Sequence, residues 1–60
     1  MLKDFEIDYI AEVMQECGKN LPVSEIEDFW KKYETNIGKE NVPVPMNHQE
    51  LVDIIEGSDL

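Results

Sequence analysis

Cys17 is the only cysteine in a chain of 60 residues, and this removes most ways of holding so short a chain together. A chain of this length buries only roughly 60% of the surface that its unfolded form exposes. Small folds compensate with disulfides, a structural metal, oligomerisation or very regular helix packing. A disulfide within the chain needs a second cysteine. A zinc site needs several ligands in spaced pairs, and Cys17 and His48 are the only soft ligands present. No metal and no cofactor are expected. What remains is regular helix packing, self-association or a partner.

The hydrophobic pattern supports helix packing. Ile10, Val13, Met14 and Cys17 are spaced i, i+3, i+4, i+7, which is one face of a helix. Phe5 and Tyr9 extend that face by i+4 steps toward Val13. Asp4 is the expected N-cap, and Gly18 stands where a left-handed C-cap belongs. Phe5, Ile7 and Tyr9 also alternate with Glu6 and Asp8, as a strand does, but the longer pattern has the helical period. In the second segment Ile26, Phe29, Trp30, Tyr33 and Ile37 share a stripe, with Asp28, Lys31, Lys32 and Thr35 opposite. Ser24 and Glu27 have capping-box spacing. Glu27–Lys31 and Asp28–Lys32 are i, i+4 pairs in the favourable order, and Gly38 stops the helix. A second capping box, Asn47 to Glu50, opens the third segment, with Met46 and Leu51 placed as a hydrophobic staple. Leu51, Val52, Ile54 and Ile55 form its apolar face, and Gly57 ends it. His48 falls at the first helical position, where it is expected to be exposed.

Between these segments, Pro22 forces Leu21 to be extended, and Leu21 and Val23 are expected to tuck under the helices. Val42-Pro43-Val44-Pro45 favours an extended, polyproline-like strip. Such a strip can serve as a ligand for a proline-recognising groove, but no basic residue flanks it closely to orient docking. It is read as a stiff loop between two helices. The expected fold is all-α, a small three-helix bundle with helices at about 4–17, 25–37 and 48–56, in a single domain spanning 1–60.

Charge narrows the function. The chain has 14 acidic residues, five lysines, no arginine and a formal net charge of −9. Nucleic-acid binding requires cations that neutralise phosphates, so direct binding to DNA or RNA is disfavoured, as is binding to an anionic membrane. No apolar run approaches the ~20 residues that span a bilayer, and the first residues do not read as a signal peptide. A lone thiol without such a segment fits a reducing cytosol, so a cytoplasmic location is expected. Catalytic groups are not indicated either. No nucleophile–base pairing or glycine-rich phosphate loop is suggested, and the carboxylates lack calcium-loop spacing. A 60-residue bundle has little depth for a cleft that perturbs a carboxylate pair. The chain is read as non-enzymatic.

Two constellations remain as candidate partner contacts. Asp4, Asp8, Glu12 and Glu16 recur every fourth residue, each step advancing about 6 Å along a helix with no lysine between them. They read either as a solvated face or as a ribbon that meets a basic surface, and Glu50, Asp53, Glu56 and Asp59 add to the negative field. Trp30 and Tyr33, with Phe29, read first as core. Three large rings strain what so small a bundle encloses, so Trp30 and Tyr33 also stand as anchors for a partner or a second copy. The sequence therefore points to a small acidic regulator or inhibitor that docks on a larger, basic protein. Two alternatives stand beside it: a nucleic-acid mimic that blocks a DNA- or RNA-binding enzyme, and a homo-oligomer or subunit of a larger assembly. The size and charge suit an accessory factor of a phage, plasmid or bacterium.

Overall fold

The computed structural model describes residues 2–58. It is an all-α three-helix bundle: α1 spans Asp4–Glu16, α2 Val23–Ile37 and α3 His48–Glu56, with no strand among the described residues. Helix α1 is the centre of the arrangement. Its backbone comes close to those of both α2 and α3, whereas α2 and α3 do not approach each other as closely among the described residues.

The helix ends follow local chemistry. At the end of α1, the Lys19 amide donates to the Met14 carbonyl at 2.8 Å and the Gly18 amide to that of Gln15 at 3.0 Å. Lys39 and Gly38 repeat this at the end of α2, donating to Glu34 and Thr35 at 3.0 and 3.1 Å. Both ends are Schellman motifs, and both need a left-handed residue after the last turn. Gly18 at φ 80° and Gly38 at φ 72° supply it. The Asn47 side chain caps α3 by accepting from the Glu50 amide at 3.1 Å.

Two helix starts differ from the sequence expectation. Lys3, not Asp4, is the N-cap of α1. Its carbonyl accepts from the Glu6 and Ile7 amides, and the Glu6 carboxylate accepts from the Lys3 amide at 2.9 Å. A lysine side chain has no acceptor, so the reciprocal arm of the box is made by backbone. Asp4 then sits in the first turn, where its charge favours the helix dipole. Helix α2 begins two residues earlier than expected, and Pro22 is its N-cap with no side-chain cap bond. Proline has no amide to satisfy, and its φ of −69° with ψ of 162° admits Val23 directly into the helix. Ser24 is thereby carried inside the first turn, so the Ser24–Glu27 box does not form. These starts give a paired expectation. Asn47→Ala loses about 0.5–2 kcal/mol of stability, whereas Ser24→Ala stays within about 0.5 kcal/mol, both measured by urea denaturation.

Ile7, Ile10, Val13 and Met14 of α1 meet Ile26, Phe29 and Trp30 of α2, Leu51 and Ile55 of α3, and Val44 in one buried cluster. Phe5 does not join it and is 58% exposed. The inward face of α1 runs through Ile7 instead. Each i+4 step drifts by about 40° around the axis, so two steps back from Val13 carry Phe5 out of the core. Val23 is likewise exposed as the first residue of α2, while Leu21 is partly buried against the core. Met46 remains 59% exposed, so no staple closes over Leu51. Among the described residues, neither Glu27–Lys31 nor Asp28–Lys32 closes into an ion pair. Holding two long exposed side chains in one geometry offsets the small Coulomb gain.

Candidate functional site

Asp4, Asp8, Glu12 and Glu16 are all exposed on α1, on the side turned away from Ile7, Ile10, Val13 and Met14. The row expected from the spacing therefore exists as a slanted strip of carboxylates. Among the described residues, Asp4, Asp8 and Glu12 make no side-chain hydrogen bond and no ion pair. Glu16 does: its Oε1 lies 3.2 Å from Nε2 of the exposed His48. That contact ties the last turn of α1 to the first turn of α3. The exposed Phe5 ring lies on the same side of α1, with the Lys3 ammonium 6.0 Å from its centroid, a weak cation–π contact at an exposed site. Glu50, Asp53 and Glu56 are exposed on α3, and Asp53 accepts from the Gln49 amide group at 3.0 Å. Asp59 lies outside the described residues.

Trp30 and Tyr33 are not part of this surface. Trp30 is 2% exposed, its ring 4.9 Å from that of the half-buried Tyr33 and 6.3 Å from that of Phe29. Its indole Nε1–H donates to the Val42 carbonyl at 3.0 Å. In this conformation Trp30 is core and has no free face for a partner. Tyr33 keeps part of its surface in solvent.

The indole bond belongs to a second constellation, one without a sequence signature. The Val42 amide donates to Glu34 Oε2 at 2.7 Å, and the Val44 amide to Glu6 Oε2 at 3.2 Å. Carboxylates from α1 and α2 thus hold the Val42–Pro45 strip by its backbone, and the Val44 side chain is buried at 4% exposure. A cleft of about 520 Å³ lies beside the strip, walled by Lys3, Glu6, Trp30, Lys31, Glu34 and Pro43 among others.

The Glu6 carboxyl is held below its ordinary value of about 4.5, chiefly by the Lys3 amide that donates to it. Partial burial opposes this, and the Val44 amide, the Lys3 charge and the chain's amino terminus reinforce it. A value lowered by folding means that the stabilisation is fully present above the unfolded value and is lost as pH falls through the folded one. Acid therefore loosens the cap of α1 and the strip together. Among the described residues, no group of three or more His, Cys, Asp or Glu side chains converges as a metal site, and no helix is long and apolar enough to cross a membrane. Cys17 is a half-buried free thiol. No family model, curated protein or solved structure matches the chain.

Proposed function

We propose that the chain is a small non-enzymatic regulatory or inhibitory protein that docks through helix α1 on a basic surface of a larger protein. The observation that carries this reading is the unbroken row of Asp4, Asp8, Glu12 and Glu16, all exposed on one side of one helix. Like charges at i, i+4 destabilise a helix by a few tenths of a kcal/mol per pair, and a cationic partner removes that repulsion. The net charge of −9 gives the approach a long-range component, since the summed field steers a basic partner toward the protein. The partner is a protein rather than a nucleic acid or a membrane, for both of which the sign of the charge is wrong.

A second reading is supported by the regular interval of the same row. Carboxylates repeated about every 6 Å along a helix present charge in the way a nucleic-acid backbone does, so the basic surface is then the groove of a DNA- or RNA-binding enzyme. Competition separates the two, because a mimic is displaced by the nucleic acid and a regulator bound elsewhere is not. Self-assembly through the aromatic side of α2 has less support, since Trp30 is inside the molecule.

The test begins with affinity capture from the source cell and elution by a salt gradient, followed by kinetics with the captured protein. Changing Asp8 and Glu12 together to Gln is expected to keep the fold and slow association about tenfold at low ionic strength. The difference should largely vanish near 1 M salt, where the Debye length is about 3 Å. An association rate unaffected by the double change at low salt makes the row a solvated face and removes this proposal.

A further inference from the structure

We infer that Val42–Pro45 is a strap that opens by itself and uncovers Trp30. Helices α1 to α3 hold their backbones by internal ladders, whereas this segment has none. Its two prolines have no amide hydrogen, so Val42 and Val44 carry the only N–H groups it can offer. Both are bonded to side chains, Glu34 of α2 and Glu6 of α1. The remaining tie is the Trp30 indole on the Val42 carbonyl, and one apolar side chain, Val44, is buried beneath. Three side-chain bonds, the buried Val44 and the partly buried Val42 are a small share of the contacts that hold the bundle, whose buried cluster otherwise comes from the three helices.

The flanks are built as hinges. Glu40, Asn41 and Met46 are all exposed and lie between the bonds that close α2 and the cap that opens α3. Asn41 sits at φ 54°, a left-handed conformation uncommon for a residue other than glycine. Between the hinges Pro43 and Pro45 keep the strip extended without internal hydrogen bonds, so it can swing as a unit. When it leaves, the indole N–H and the Val44 site lose their cover together. What is laid open is an aromatic edge in a cleft rimmed by Glu6, Glu27, Asp28 and Glu34, with Lys3 and Lys31 beside them. Cores that open locally in this way do so below the free energy of global unfolding.

Native-state hydrogen exchange on the intact chain tests the strap, followed by NMR at neutral pH over a series of low urea concentrations. Three exchangeable protons report on it: the Val42 and Val44 amides and the Trp30 indole N–H. The Ile10 amide, on a fully buried residue of α1, reports on global unfolding. The strap protons are expected to be at least about tenfold less protected than Ile10 and to exchange independently of urea, the mark of local opening. Glu34→Ala is expected to speed the exchange of all three by about tenfold or more, the ratio carried by a hydrogen bond to a charged group, with their exchange still independent of urea and that of Ile10 still dependent on it. If the strap protons match Ile10 in protection and in urea dependence, the segment opens only with the whole molecule and the inference is overturned. Should Glu34→Ala unfold the chain, far-UV circular dichroism reveals it, and the urea dependence of the unaltered protein alone decides.

Discussion

Replacing Trp30 by alanine is expected to destabilise the protein by about 3–5 kcal/mol, the range for removing a large buried aromatic from a core. Trp30 is 2% exposed, lies near Tyr33 and Phe29, and donates its indole N–H to the Val42 carbonyl. Its loss leaves a cavity between α1 and α2 and an unpaired acceptor on the strap. Domains gain roughly 0.05–0.15 kcal/mol per residue from folding, so a 60-residue chain has little to spare and Trp30→Ala should be largely unfolded at 25 °C. Trp30→Phe separates the two contributions. It keeps much of the ring volume but not the N–H, and should lie clearly between the parent and the alanine variant. Urea denaturation followed by far-UV circular dichroism measures both. A Trp30→Ala protein that stays folded with an unchanged midpoint contradicts the core assignment and returns Trp30 to the role of a surface anchor.

The central role of Trp30 is legible in the amino-acid sequence because it depends on period alone. Ile26, Phe29, Trp30 and Tyr33 recur at helical spacing, and a helix with such a stripe has one way to bury it. The ends at Gly18 and Gly38 are legible for a similar reason, since the left-handed step of a Schellman motif suits glycine and little else. The start of α2 is not, because two rules compete there. Ser24 with Glu27 satisfies a capping preference, while Pro22 provides an extended residue that needs no amide partner. The structure takes the second, which adds Val23 and Ser24 to the helix. Phe5 shows how an approximate rule fails when it is iterated. One i+4 step stays on a face, two steps turn it by about 80°, and Ile7 takes the inward position.

The row of carboxylates is legible to the same degree as the helix that carries it, since an exposed face follows once Ile7, Ile10, Val13 and Met14 point inward. The strap is legible only as an extended strip. What holds it is a set of contacts between residues far apart in the chain, Glu6 with Val44 and Glu34 with Val42, and no local pattern marks a glutamate that will accept from a distant loop amide. Glu6 and Glu34 look like any of the 14 acids until the backbone of the connection is laid across them. Two residues of that kind, Glu6 and Glu34, thus join α1, α2 and the path to α3 through Val44 and Val42, and composition gives no hint of them.

Leu51→Ala is expected to lower stability by about 2–5 kcal/mol and to release α3 and the α1 face together. Helix α3 has nine residues, fewer than the ~12–15 at which an isolated helix becomes even marginal in water. Its helical state is therefore sustained by packing, and among the described residues α1 is the helix whose backbone it approaches most closely. Leu51 and Ile55 are its buried contributions to the core, both fully enclosed. Removing most of the Leu51 side chain leaves Ile55, the Asn47 cap and the exposed Glu16–His48 pair to hold the helix. An exposed pair adds no more than about 1 kcal/mol, and a cap about the same. Neither replaces the lost contact, and an unfastened α3 takes two residues out of the cluster that buries the inward face of α1. A chain this small then unfolds in a single step, so the amides of α1 and α3 should lose protection at the same urea concentration. Met46→Ala, at an exposed residue directly before the cap, is the control and should stay within about 0.5 kcal/mol. If Leu51→Ala costs less than about 1 kcal/mol, or if α3 melts while α1 and α2 keep their protection, α3 is an appendage and the fold consists of α1, α2 and the strap.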